Sequence, residues 1–194
     1  MANNKPSLSF VYIILVSAIS FGLAVLFFWL SNLLSVKMHS ILLSVIFLIA
    51  IILVGILADI LGVAVTAASE VPLHAKAANR IHGATEGVYL IRNADRVANL
   101  TGDVVGDIAG TVSGALGIAL VAQILIFTKD LRELTLNMLL TAAIASLTVG
   151  GKAFGKWVAL TYAEDIVFLT GKVLYGISLI TGRDFNAKNR KTTK

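Results

Sequence analysis

Residues 93–117 have the sequence N-A-D-R-V-A-N-L-T-G-D-V-V-G-D-I-A-G-T-V-S-G-A-L-G, and the prediction of the fold starts from this stretch. On a helix it carries a glycine at every fourth position: Gly102, Gly106, Gly110 and Gly114, called here the glycine ladder. Small residues at this spacing let a neighbouring membrane helix approach closely. The stretch therefore predicts a transmembrane helix that packs through its glycines.

Two carboxylates, Asp103 and Asp107, lie beside the glycine ladder, one turn apart on the same face. A charge in hydrocarbon costs at least about 2.5–3.5 kcal/mol, so carboxylates within an apolar helix need a partner. The sequence offers no basic residue at an obvious membrane depth to pair with them. A bound cation, or protonation, is the expected solution.

Composition indicates an integral membrane protein. The chain has 194 residues, of which 57% are hydrophobic and 14% charged, and its mean hydropathy is +0.88. A soluble core of this length does not need so much apolar surface. The absence of cysteine excludes disulfides and thiolate chemistry. The net charge of +5 suits loops facing anionic lipid, and no nucleic-acid partner is expected because the basic residues lack interleaved aromatic residues.

The order of apolar segments predicts an all-α protein of about four transmembrane helices. The expected spans and terminal segments are, in order, 10–36, 40–58 with a more polar continuation to 70, 93–127, 134–151, an amphipathic belt helix at 157–180, and a basic tail at 183–194. The first helix should be followed at once by an antiparallel neighbour, because residues 37–39 form only a short turn. This gives three parts: an extra N-terminal helix and turn (1–39), a main membrane domain with the belt (40–182), and the tail (183–194).

The second span changes character towards its end. Polar and small residues fall near one helical stripe there: Asp59, Gly62, Thr66, Ser69 and Glu70. Ser69 and Glu70 are explained if the helix leaves the membrane there and exposes their polar side chains to water. This explanation accounts less well for Asp59, which lies about 16 Å further up the axis than Glu70 at 1.5 Å per residue.

Residues 72–96 are the most polar internal segment and predict short surface helices, broken near Gly83 and Gly87. His74 and His82 are eight positions apart without a third ligand nearby, so they are interpreted as surface histidines and not as zinc ligands. Asn93 is expected to cap the start of the third span.

The distribution of Lys and Arg predicts the orientation. With four spans, the N-terminus, residues 70–97 and the C-terminus share one side of the membrane. The other side holds three of the sixteen basic residues, Lys37, Lys129 and Arg132. Both termini are therefore expected in the cytoplasm of a multi-pass cell-membrane protein.

Several phrases of the chain resemble the transmembrane domain of the cyclin M/CorB/CorC group of magnesium transport proteins. They are T-A-A-S-E at 66–70, N-A-D-R-V-A-N-L-T-G-D-V-V-G-D at 93–107, G-G-K-A-F-G-K at 150–156 and Y-A-E-D-I at 162–166. They occur in the order found in that group and cover about 130 residues. The resemblance implies a homodimer with a central cation site between helices, and a belt helix that surrounds the bundle.

The chain also departs from that group. Asp103 and Asp107 stand where the group has asparagines, which keeps oxygen ligands and adds negative charge. Ala67 replaces a serine, and an extra N-terminal span is expected. No cytoplasmic CBS regulatory domains are expected within these 194 residues. The belt helix and tail are then expected to brace the bundle or to recruit a separate cytoplasmic partner.

The chemistry of the side chains supports a magnesium site independently, because Mg²⁺ prefers oxygen ligands and keeps several of its waters. The expected ligands are Asp103 and Asp107, opposed by Thr66 and Ser69 on the preceding helix. Further polar residues expected on the ion path are Asp59, Glu70 and Asn99.

Two alternatives to a transport protein remain. One is a non-transporting membrane scaffold that assembles through the glycine ladder. The other is an intramembrane aspartyl protease, which is disfavoured because both aspartates lie on one helix. No enzymatic activity is expected.

Overall fold

A computed structural model describes residues 10–37, 40–127 and 133–181. These residues are helical apart from short turns, and no strand occurs among them. The predicted tail, 183–194, lies outside the described residues, as do positions 1–9.

The N-terminal half begins with two long helices, α1 (Phe10–Lys37) and α2 (Ile41–Ala67). Both expected spans are therefore helical, and Ser40 is the N-cap residue of α2. The expectation that α2 packs beside α1 was wrong: α1 makes its principal contacts with the third span. Helix α2 is instead the centre of the bundle, in contact with most of the later helices.

Two short helices follow, α3 (Glu70–Ala78) and α4 (Ala84–Arg92). The predicted break near Gly83 is confirmed, since Gly83 has φ 87° in the turn between them. The predicted break at Gly87 was wrong, because Gly87 lies inside α4 and is buried against Leu73.

The third span is one continuous helical rod made of three parts: α5 (Ala94–Ala98), a π-helix (Asn99–Gly106) and α6 (Asp107–Phe127). Asn93 is at the N-cap position of α5 as predicted, but its side chain does not cap that helix. Its Nδ2 donates to the Tyr89 carbonyl, 2.8 Å away, and so closes the end of α4.

The C-terminal part consists of α7 (Glu133–Thr161) and α8 (Ala163–Thr181). The expected end of a span at Gly151 was wrong, because α7 continues without a break through the G-G-K-A-F-G-K phrase. The amphipathic helix consequently begins at Ala163, and Trp157 belongs to α7. Helix α8 packs mainly on α4, with further contacts to α2, α3 and α7.

The described helices bury two apolar clusters. One joins α2, α6 and α7 around Ile52, Ala109 and Ile144. The other joins the end of α2 to α3, α4 and α8 around Val65, Leu73 and Val167. The polar region described below lies between these two clusters.

Three rods among the described residues are long and apolar enough to cross a bilayer: Ile41–Ala67, Ala94–Ile126 and Glu133–Thr161. A shorter apolar helix is described within α1, at Ile13–Trp29. Many large apolar side chains on these helices face outward. This architecture fits an α-helical membrane protein.

Candidate cation site

The π-helix at Asn99–Gly106 changes the rotation of the third span and breaks up the glycine ladder. Each turn of a π-helix contains an additional residue, so positions before and after it do not continue one stripe. Gly102 and Gly106 face α2, while Cβ atoms built on Gly110 and Gly114 would meet nothing within 4 Å among the described residues. The ladder is therefore not one packing face within this chain, as a regular α-helix had led us to expect.

Glycines on α2 allow the π-helix to approach its backbone closely. A Cβ added at Gly55 would lie 3.0 Å from the Ala109 Cβ, and one added at Gly62 would lie 3.0 Å from Thr101 Oγ1. Larger residues at these positions would push the third span away from α2. The polar side chains of both helices are thereby brought together.

A cavity of about 220 Å³ lies between α2, the π-helix and α7, and is called here the Asp59 cavity. Its lining residues are Asp59, Gly62, Val63, Thr66, Ala98, Gly102, Asp103 and Lys156. Asp59 is eight residues before the end of α2, or about 12 Å along the helix axis. The cavity is thus set inside the rods that are long enough to cross a bilayer.

Asp59 is the most unusual residue of this cavity. Its Oδ2 atom is buried and has no hydrogen-bond partner among the described residues. Its Oδ1 atom faces the third span, 3.7 Å from where a Cβ on Gly102 would lie. A buried carboxylate oxygen without a donor is costly, so this atom needs a proton, a cation or a water molecule from the cavity.

Asp103 lies where two cavities meet. Its Oδ2 atom accepts a hydrogen bond of 2.9 Å from Asn99 Nδ2, one π-helical turn earlier. Besides the Asp59 cavity it lines a cavity of about 480 Å³ between α1 and the third span, called here the α1 cavity. The α1 cavity is also lined by Ser20 and Phe28 of α1 and by Asp107 and Thr111.

Asp107 has a basic partner, which contradicts the expectation that none lies at its depth. Lys152 Nζ is 3.3 Å from Asp107 Oδ1, and the lysine side chain is mostly buried. Lys156, one turn later on α7, lines the Asp59 cavity. Both lysines had been assigned to a region beyond the fourth span because the phrase that contains them was taken for a helix end.

The same phrase contains a glycine seam that was not predicted from the sequence. Gly151, Gly155 and Ala159 recur every four residues on α7, and Gly155 and Ala159 are buried. Added Cβ atoms at Gly151 and Gly155 would collide with the side chains of Ile56 and Ile60 on α2. The spacing of small residues at every fourth position was the sequence signal for this seam. Packing of the seam on α2 brings both lysines towards α2 and the third span.

The remaining predicted site residues divide between the cavity and the surface. Thr66 lines the Asp59 cavity, with its hydroxyl donating to the Val63 carbonyl at 2.8 Å. Ser69 does not line it; its hydroxyl accepts from the Val71 N–H at the start of α3. Glu70 also lies elsewhere, in an exposed cluster with His74 and Arg92.

The Glu70 cluster lies just beyond the end of α2. Glu70 Oε2 is 3.0 Å from His74 Nε2 and 3.2 Å from Arg92 Nε. The hydrogen bond from His74, followed by that from Arg92, lowers the pKa of the Glu70 carboxyl below its ordinary value. His74 and His82 are both exposed, as predicted for surface histidines.

The polar region therefore contains three carboxylates (Asp59, Asp103 and Asp107) and two lysines (Lys152 and Lys156). With all five groups ionised, its net charge is −1. The structure, over the residues that it describes, forms no group of three or more His, Cys, Asp or Glu side chains that could together hold a metal ion. Any cation bound here would therefore take its other ligands from hydroxyls, carbonyls or water.

No protein-family model, curated protein or solved structure matches this chain. The resemblance to the magnesium transport group therefore rests on the sequence phrases alone.

Proposed function

We propose that this protein is a multi-pass membrane protein that binds a cation in the Asp59 cavity and carries it across the bilayer. The observation that carries the proposal is the buried Oδ2 atom of Asp59, which has no partner among the described residues and lies in a cavity that Thr66 and Asp103 also line. Carboxylates inside membrane helices are costly and usually serve an ion or proton pathway.

The two cavities suggest the route of the ion. Asp103 lines both the Asp59 cavity, near the C-terminal end of α2, and the α1 cavity on the other side of the third span. An ion bound between Asp59 and Asp103 could pass to Asp107 by moving about one helical turn along the rod. The π-helix supports this role, because such distortions often occur at functional sites.

The lysines supply a competing positive charge at each end of this route. Lys152 is paired with Asp107, and Lys156 lines the Asp59 cavity. An incoming cation has to displace the Lys152 ammonium group from Asp107, and it has to compete with the charge of Lys156 in the Asp59 cavity. Ion entry would in this way be coupled to a movement of these lysines.

Magnesium is the first ion to test, because it binds through one or two carboxylates while keeping much of its water. The net charge of −1 also suits a monovalent cation, so competing ions must be included. We further propose four spans, with α1 as the first, both termini in the cytoplasm and a homodimer as the assembled form.

The test is ion flux into liposomes that contain the full chain and a magnesium indicator. Asp59→Asn and Asp103→Asn should each reduce uptake at least about tenfold, because each removes a charged ligand from the cavity. Asp95→Asn is the matched control, since Asp95 is exposed on α5 and lines neither cavity. Equal flux in all four proteins would refute the proposal, whereas sodium or proton flux with the same mutational pattern would correct the ion.

A membrane scaffold is the second candidate, favoured by the open space beside Gly110 and Gly114. A second copy could pack its helix closely there without any ion being carried. Assembly that depends on these glycines, in a protein without flux for any cation, would support this alternative. The aspartyl protease is less favoured, since Asp107 is ion-paired with Lys152.

A further inference from the structure

A second polar cavity lies away from the Asp59 cavity, where the turn between α3 and α4 meets α8. It has a volume of about 260 Å³. The lining residues are Ala77, Arg80, Ile81, His82, Gly83, Thr85, Glu86 and Tyr175. None of them belongs to the three rods that are long enough to cross a bilayer.

The cavity contains two opposite charges that do not satisfy one another. The Oε2 atom of Glu86 is buried and lacks a hydrogen-bond partner among the described residues. Arg80 lines the same cavity, yet within the described part of the chain it forms no ion pair with Glu86. The buried Glu86 oxygen needs a donor, whereas Arg80 is exposed, so its guanidinium group can exchange water for an anionic ligand.

The backbone around the cavity is held firmly. Arg80 has φ 56°, the left-handed conformation that commonly ends a helix, and the Arg80 and Ile81 N–H groups donate to the last carbonyls of α3. The turn lies directly on α8, because a Cβ added at Gly171 would collide with the Gly83 carbonyl. The His82 and Tyr175 rings stack with centroids 4.7 Å apart and form one wall. The cavity is therefore shaped before any ligand binds.

Helix α8 places this cavity beside the membrane surface. Leu169, Val173 and Ile177 form an exposed apolar stripe at intervals of four. Tyr175 is two residues from Val173, or about 200° around the helix, and so faces the cavity from the opposite side. When the apolar stripe enters the lipid, the cavity lies on the water-facing side of α8, at the outer edge of the headgroup layer.

We propose that this cavity binds the headgroup of a phospholipid that carries a primary ammonium, such as phosphatidylethanolamine. The ammonium donates hydrogen bonds to Glu86, and the phosphate accepts from Arg80. The aromatic wall of His82 and Tyr175 contacts the ethylene carbons between the two charges. Phosphatidylcholine fits less well because its trimethylammonium group has no N–H to donate. Phosphatidylglycerol fits less well because it has no cation for Glu86.

The experiment uses the full chain in detergent, titrated with phosphatidylethanolamine, phosphatidylcholine and phosphatidylglycerol of identical acyl chains. Melting temperature and the number of lipids retained in native mass spectrometry are measured. Phosphatidylethanolamine should bind at least about tenfold more tightly than the other two, as expected for a charge-assisted hydrogen bond. Glu86→Gln should remove this preference. Asp165→Asn, which removes an exposed charge from the first turn of α8, should retain it.

Equal binding of the three lipids by the unmodified protein would overturn the proposal whether or not Glu86→Gln folds. So would an unchanged preference in a folded Glu86→Gln protein. Soluble phosphoethanolamine tests the source of the ligand: tight binding of this compound would identify a free aminophosphate instead of a lipid. Arg80→Gln should weaken all three lipids, since each has a phosphate, and unchanged binding would remove Arg80 from the site.

Discussion

Individual charged residues determine how the polar region between α2, the π-helix and α7 behaves. Three carboxylates face two lysines there, so removing any one charge changes what the others can bind. Asp59 and Lys156 belong to one cavity, while Asp107 and Lys152 form an ion pair with N–O distance 3.3 Å. The two lysines should consequently have different mutational effects.

Lys156→Met is expected to increase cation affinity about tenfold, because it removes a competing positive charge from the Asp59 cavity. Melting temperatures measured over a magnesium titration give this affinity, since a ligand that binds the folded state raises its stability. Lys172→Met, on α8 outside that cavity, is the control. Weaker cation binding in Lys156→Met would show that the ammonium helps to organise the site and does not compete with the ion.

Asp107→Asn is expected to destabilise the protein by about 1–2 kcal/mol, between the values for exposed and buried pairs, because it leaves the mostly buried Lys152 ammonium without its partner. Lys152→Met alone should cost less, because the Asp107 side chain that it leaves unpaired is mostly exposed. The double variant Asp107→Asn with Lys152→Met should recover most of the loss caused by Asp107→Asn. The measurement is a double-mutant cycle from unfolding in detergent. Additive effects in the cycle would mean that the two side chains do not interact.

Glu70 should produce a dependence of stability on acid pH. Its carboxyl has a lowered pKa in the folded state, chiefly through the hydrogen bond with His74. This stabilisation is therefore complete above the ordinary glutamate pKa of about 4.3, and is lost as pH falls through the lowered folded-state pKa. Melting temperatures are measured from about pH 6 downwards, a range that starts above the ordinary glutamate pKa. They should fall less steeply with pH in Glu70→Gln than in the unmodified protein. Parallel curves for the two proteins would exclude this contribution.

At the scale of the helices, the π-helix explains why the glycine pattern was only partly informative. The spacing of Gly102, Gly106, Gly110 and Gly114 predicts one stripe on an α-helix, but nothing in the composition announces an additional residue per turn. The helical nature of residues 94–127 was predictable from their apolar content. The rotation of the helix was not, because it depends on how Gly55 and Gly62 of α2 admit the third span.

The true end of α7 was missed for a related reason. Two lysines and three glycines within 150–156 are typical of a membrane exit when only local composition is considered. Packing reverses that interpretation, because Gly151 and Gly155 fit against α2 and Lys152 finds Asp107. Asp59 and Thr66 were recognised from helical periodicity, whereas their neighbour Lys156 required knowledge of which helices touch.

Gly155→Leu should therefore destabilise the fold, whereas Gly110→Leu should have little effect on it. Gly155→Leu forces a large side chain against Ile60 of α2 and should destabilise the bundle by about 1–3 kcal/mol or more. Gly110→Leu meets open space within the chain and should leave the melting temperature nearly unchanged. Thermal unfolding of the two variants in detergent provides the comparison. A well-folded Gly155→Leu protein would contradict the α2–α7 seam.

Gly110→Leu also tests the proposed homodimer. If a second copy packs on the open side of α6, the added side chain should hold the two backbones apart and weaken association. Cross-linking or mass measurement in detergent would show this as a loss of dimer without a loss of fold. Retention of the dimer in Gly110→Leu would place the interface on another face of the molecule.

At the scale of the whole molecule, the question is how many helices cross the membrane. The rods Ile41–Ala67, Ala94–Ile126 and Glu133–Thr161 are each long enough, and α1 supplies the proposed fourth span. With α8 at the membrane surface, four crossings leave both termini on the same side. We expect that side to be the cytoplasm, because the basic residues are in excess there.

The position of α8 decides between this topology and one with a fifth crossing. Glu164, Asp165 and Lys172 lie along its 19 residues, and placing three charges in a bilayer would cost several kcal/mol, roughly 2.5–3.5 per charge. Its main contact, α4, lies outside the three rods, which also favours the surface position.

We therefore expect a cysteine introduced at Asn189 to react with a membrane-impermeant maleimide only when the cytoplasmic face is accessible. Exchange of Lys129 for cysteine provides the opposite control, because residues 128–132 connect α6 to α7 and should react from outside. Outside labelling of the cysteine at 189, with labelling at 129 unchanged, would show that α8 crosses the membrane. The phospholipid cavity against α8 could not then lie at the cytoplasmic surface.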